Sequence, residues 1–137
     1  MGTNSIDTLK DMLCRINMEA ANVEELYGLS LGSFLDKIYK LPIHFIKQAI
    51  EDEPIWNENI EPAYYAYTAA VAHTFSSRYE LFSPMRDNIW FYNSKYFLKE
   101  PWFPQYTEGL KDTLIAESPR EFRIRNMFVS KNALNRA

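Results

Sequence analysis

Few side chains in this 137-residue chain are of a kind that does chemistry. There are two histidines, His44 and His73, and one cysteine, Cys14. A metal site needs three or four nitrogen, sulfur or carboxylate ligands at fixed steps, and neither histidine stands in an HExxH or Cys/His pattern. His44 follows Pro42 with no carboxylate at a useful step. His73 lies in an apolar helical run and reads as a hydrogen-bonded core histidine. Cys14, beside Leu13 on an amphipathic helix, reads as a buried structural thiol, and one cysteine rules out a disulfide frame. Nucleophile elbows, Walker loops and dinucleotide-binding loops are absent. The expectation is therefore a non-enzymatic protein with no catalytic, metal or cofactor site and no cofactor.

What remains is binding chemistry. Residues 118–137, SPREFRIRNMFVSKNALNRA, hold Arg120, Arg123, Arg125, Lys131 and Arg136 against one acid, Glu121. From Glu117 onward the chain carries a net +3, against −6 for residues 1–116 and −3 overall, so it is not a generically basic nucleic-acid binder. Such polarity implies an acidic partner for the tail, or pairing between tail and body. Ser118-Pro119-Arg120-Glu121 reads as a capping box with proline at the first helical position. Glu121 and Arg125 stand four apart with the acid first, the favourable order for a helical pair. Arg120 and Arg123 have no such local explanation, because a cation in a first helical turn is disfavoured. They are candidates for a partner contact.

Two other stretches join them. Glu51-Asp52-Glu53 falls where a helix should end, and carboxylates at that pole are unfavourable. Either the helix stops earlier or these acids have a cationic partner, and all three are candidates for a second contact surface. Fourteen of the 21 aromatics lie between Tyr64 and Tyr106, a density that single-strand binding platforms also show. There, Arg78, Arg86, Lys95 and Lys99 are balanced by Glu80, Asp87 and Glu100, so no basic groove accompanies the rings. Most of these rings are expected in the core. Trp102 and Phe103, between Pro101 and Pro104, are the candidate exposed anchor, since aromatic rings supply much contact area for little entropy.

The elements that must position these groups are helical. Ile6, Leu9, Leu13, Ile16, Ala20 and Val23 recur at the helical period, with Asn4 or Ser5 to cap the start and Gly28 to end the helix. Asp11 and Arg15 read as an (i, i+4) pair. Gly28–Gly32 reads as a break, and Ser33 with Asp36 as a loose capping box opening a short helix through Phe34, Leu35 and Ile38. Pro42 interrupts or restarts that helix, and Ile43, Ile46 and Ile50 continue its stripe. Asn59-Ile60-Glu61-Pro62 opens a helix that is apolar on most of its circumference and belongs at the centre. Prolines punctuate residues 83–104 into short helices and turns, after which Tyr106, Leu110 and Leu114 give a short amphipathic helix, and Ser130 can cap a last one. The fold expected is all-α: a compact single domain over residues 1–137, a bundle of six to eight helices with an aromatic-rich irregular segment.

No stretch approaches the ~18 apolar residues of a membrane span, and no signal-type apolar run opens the chain. Met1-Gly2 begins like a myristoylation signal, but Ile6 stands where Ser or Thr is required. A soluble, cytoplasmic protein with no membrane contact is expected.

Two resemblances bear on function. His73 and Arg78 on one helix resemble, in reversed order, the arginine and histidine of helical HEPN-type ribonucleases. More extensive is the series Trp90, Tyr96-Phe97-Leu98, Pro101-Trp102-Phe103, Ser118-Pro119-Arg120-Glu121-Phe122-Arg123, Arg125-Asn126, Phe128-Val129-Ser130 and Asn132-Ala133-Leu134. It is similar to the C-terminal region of small bacterial proteins, a region that also follows helix-turn-helix domains in some regulators beside nucleotidyltransferase genes. The resemblance covers roughly residues 60–137 and carries no catalytic residues. The first 55 residues depart from it, for the segment around Gly28 lacks a basic second helix. What it implies is a toxin–antitoxin-like setting, in which this protein binds a toxin or nucleotidyltransferase-like partner. The alternatives are a nucleic-acid-binding regulator acting through the basic tail, and a small helical ribonuclease.

Overall fold

The computed structural model describes residues 7–18, 23–58, 60–82, 89–104 and 109–135. Expectations that rest on Asn4, Ser5, Ile6, Ala20, Asn59, Arg86, Tyr106 and Arg136 lie outside them. The described fold is all-α, with α1 (Leu9–Met18), α2 (Val23–Ile38), α3 (Ile43–Ile50), α4 (Pro62–Tyr79), α5 (Lys111–Glu117) and α6 (Arg120–Arg123). Two 3-10 turns, Trp90–Tyr92 and Ser94–Tyr96, precede α5. One hydrophobic cluster runs from Leu9 to Leu134.

The centre is α4. Pro62 opens it, where a missing N–H costs nothing. Ala66, Ala69, Ala70 and Ala72 are wholly buried, so α3, α6 and both 3-10 turns approach its backbone closely. Glu80 ends it in the left-handed conformation, and the Leu81 N–H returns to the Ser76 carbonyl. Around α4, buried polar atoms find partners: the Trp90 indole N–H donates to the Ile50 carbonyl at 3.0 Å, and the Tyr39 hydroxyl to the Leu134 carbonyl at 2.6 Å.

Three local expectations are corrected. First, Gly28 and Gly32 break nothing; both lie inside α2. A glycine in a helix interior costs only about 0.5–1 kcal/mol, and burial of Tyr27, Leu31, Phe34, Leu35 and Ile38 on one side of α2 outweighs it. Ser33 and Asp36 are consequently mid-helix, and the reciprocal capping occurs instead at α1, between Thr8 and Asp11. Second, Arg15 grips Asp7 with two bonds of 2.7 and 3.1 Å rather than pairing with Asp11. Third, Leu110 precedes α5 and is exposed, so only Leu114 anchors that helix.

α3 stops at Ile50, before the acidic run, as one of the two alternatives for that run required. At its other end α3 starts after Pro42, its N-cap residue, whose fixed φ suits that position.

Candidate functional site

The tail is held by a set of contacts that local helix chemistry did not indicate. Ser118 does not cap the start of α6: it ends α5 through its backbone N–H, and its hydroxyl donates to the Met127 carbonyl at 3.1 Å and accepts from the Val129 N–H at 3.2 Å. A capping box needs a free hydroxyl at the helix start, and this one is drawn across to the returning chain; α6 begins after Pro119 with no side-chain cap. The chain turns at Asn126, whose positive φ of 65° asparagine tolerates better than most residues. Residues 126–128 then pair with Trp102 in a short parallel bridge: the Trp102 N–H donates to the Asn126 carbonyl and the Phe128 N–H to the Trp102 carbonyl, both at 2.9 Å. Phe103 stacks on Phe128. After this, Ser130 caps a turn rather than a helix, accepting from the Asn132 N–H.

Arg125 is 0% exposed. The helical pair expected with Glu121 is made through the backbone, not the carboxylate: Nη1 donates to the Glu121 carbonyl at 2.8 Å and to His73 Nδ1 at 3.0 Å. Nη2 donates to the Phe91 carbonyl, and the guanidinium lies 4.6 Å from the centre of the Phe97 ring. Because a guanidinium only donates, His73 Nδ1 must accept, which places the imidazole proton on Nε2. Burial, and then the Arg125 and Arg120 charges, push the His73 pKa down to about 4, so the ring is neutral at pH 7. Burial likewise lowers the Arg125 pKa to about 10, which still leaves it charged. Arg125 thus closes the fold from inside.

His73 and Arg78 are not brought to a common partner. Arg78 leans the other way, donating to the Tyr39 hydroxyl at 3.2 Å with its guanidinium against Tyr39 and Phe75. Five residues along a helix turn the second side chain well away from the first.

The seven candidate contact residues fall into three places. Glu51 and Asp52 are exposed just past α3, while Glu53 is engaged: it accepts from the Tyr96 hydroxyl at 2.6 Å and pairs with Lys95 at 3.0 Å. These two bonds outweigh burial and hold its carboxyl below the usual carboxylate range. Arg120 and Arg123 are exposed on α6, and neither joins an ion pair among the described residues.

Trp102 and Phe103 are half-buried, and they wall one side of a cleft of about 360 Å³. Its other walls come from α2 and the first turns of α4: Tyr27, Gly28, Leu31, Glu61, Ala63, Tyr64 and Tyr67, with Pro104 at the rim. The rings are fixed before anything binds. The Tyr27 hydroxyl meets Thr68 Oγ1 at 2.9 Å, and Thr68 in turn donates to the Tyr64 carbonyl at 2.7 Å. Burial raises the pKa of Tyr27 well above its usual value and that of Tyr67 to about 12, so both are neutral phenols. Tyr67 packs edge-on against Phe122 and Trp102, at 4.8 and 6.1 Å between ring centres. The bridge to Met127 sets the depth of Trp102, so the tail motif positions one wall of the cleft.

Tyr27, Tyr64, Tyr67 and Glu61 were not singled out by sequence. Reading Gly28 as a break removed α2 from the side of the cleft. The i, i+3 spacing of Tyr64 and Tyr67 on α4 was the available signal, since such residues share a helix face.

Compared with known protein families, curated proteins and solved structures, the chain matches none. Among the described residues no helix is long and apolar enough to cross a membrane.

Proposed function

We propose that this protein is a non-enzymatic binding module that takes a segment of another protein into the aromatic cleft. The two-protein, antitoxin-like setting is what the tail resemblance implies for that partner. One observation carries the reading: Trp102 and Phe103 form a wall of a concave aromatic site whose geometry is set by hydrogen bonds elsewhere. Preorganised rings in a concave site supply binding energy with little ordering cost. The volume suits one or two side chains of a bound segment, at the lower end of ordinary ligand sites.

The test uses Gly28, which lines the cleft and where an added Cβ would meet no atom within 4 Å, so that a large side chain can start from it without a clash at its root. Co-expression of the protein with the product of the adjacent gene should give a stoichiometric complex that Gly28→Trp abolishes while the variant stays folded. A complex that survives Gly28→Trp, or none from the unaltered protein, overturns the reading.

The exposed arginine pair on α6 favours one second reading, a regulator that contacts nucleic acid through Arg120 and Arg123. It requires retention on nucleic acid that weakens steeply with salt.

A further inference from the structure

The cleft has a polarity that its aromatic character alone does not express. Among the described residues Glu61 is its one charged lining residue, and no lysine or arginine lines it. The Glu61 side chain caps nothing in α4 and joins no ion pair among the described residues. The rings form corners rather than parallel plates: Tyr67 meets Tyr27 at 81° and Trp102 meets Tyr67 at 76°. Ring faces carry the negative part of the aromatic quadrupole, so a box of such walls attracts a compact cation. A flat guanidinium would favour parallel walls. Among the described residues the same attraction is already made on one ring that lines the cleft, with the Lys111 ammonium 5.1 Å from the centre of the Phe103 ring.

A competing influence is the start of α4, whose pole carries roughly half a positive charge. Pro62 removes one of the N–H groups that would express it, and the full charge of Glu61 outweighs the remainder. Residues 1–116 carry a net −6, which draws the same kind of ligand at longer range.

We infer that the cleft selects its partner by a lysine side chain, whose ammonium sits among Tyr27, Tyr64, Tyr67 and Trp102 beside the Glu61 carboxylate. This rests on the binding-module reading and assigns the chemistry of the contact. Leu31 and Ala63 would take the apolar stem of the lysine.

The probes are Nα-acetyl-lysine N-methylamide and its neutral isostere, Nα-acetyl-norleucine N-methylamide, titrated into the full chain by NMR. The lysine compound should shift the amides of Tyr27, Gly28, Tyr64, Tyr67 and Trp102, and the norleucine compound should bind about 5-fold more weakly, the ratio for a cation–π contact near 1 kcal/mol. Glu61→Gln should weaken the lysine compound by a similar factor and leave the norleucine compound unchanged. Equal binding of the two probes, indifference to Glu61→Gln, or no shift of the cleft amides overturns the lysine assignment. These outcomes are independent of whether Gly28→Trp abolishes the protein complex, so the assignment and the binding reading can fail separately.

Discussion

Arg125 and Glu61 each set a charge beside aromatic rings, and the structure treats them in opposite ways. Arg125 is enclosed: two carbonyls, an imidazole nitrogen and the Phe97 ring surround it, and only Nε lacks a partner. Glu61 stands exposed and lines a cleft whose other walls include Tyr27, Tyr64, Tyr67 and Trp102. A charge surrounded on all sides by its own chain serves the fold. A charge at an open aromatic cleft is placed where a second molecule can meet it.

The largest effect should come from breaking the enclosed site. Arg125→Ala removes the donor from three acceptors, two of them in buried bonds, and leaves a void, and should cost about 3 kcal/mol of stability in urea unfolding. A cost below about 1 kcal/mol would mean the guanidinium is not what closes the tail.

The same site makes stability depend on pH. His73 titrates near pH 4 in the folded chain, against a usual value of 6.5. The unfolded chain therefore takes up the proton first as pH falls. The contribution is complete above about pH 6.5 and is lost progressively down to pH 4. By pH 5 the loss should be about 2 kcal/mol, at 1.36 kcal/mol per pH unit of difference. Urea midpoints measured between pH 7.5 and 5 check this, and His73→Gln should flatten the profile.

At the open site the effects on the fold shrink. Gly28→Ala should raise stability by about 0.5–1 kcal/mol, because the new methyl group enters open space while the helix loses a glycine. Glu61→Gln should leave unfolding within about 0.5 kcal/mol of the parent. Its consequence is confined to binding. A large loss of stability from either would erase the contrast with Arg125.

The contrast also explains what the sequence made legible. Long-period signals worked: the alanine-rich circumference of α4 and the Pro42 and Pro62 starts each belong to one helix and depend on local chemistry alone. Signals that needed a partner from afar did not. Ser118 and Glu121 spelled a capping box, yet the serine hydroxyl was claimed by residues 127 and 129, nine and eleven positions on. Arg125 matched a helical pair and proved to be the buried contact of His73, 52 positions away. Gly28 looked like an end because its cost is local, whereas the burial that overrides it is tertiary. Trp102 and Phe103 were recognisable as a candidate anchor from their prolines, but the cleft around them is made by Tyr27, Tyr64 and Tyr67, which only folding brings together.

The most direct test of the cleft as the partner's seat is site-specific photocrosslinking in the co-expressed pair. p-Benzoylphenylalanine would be placed singly at Phe103, at Arg120 and at Glu51, the three candidate surfaces. The account predicts a crosslink to the partner from position 103, lost when Gly28→Trp is added, and none from positions 120 and 51. Crosslinks from position 120 or 51 with none from 103 would contradict it.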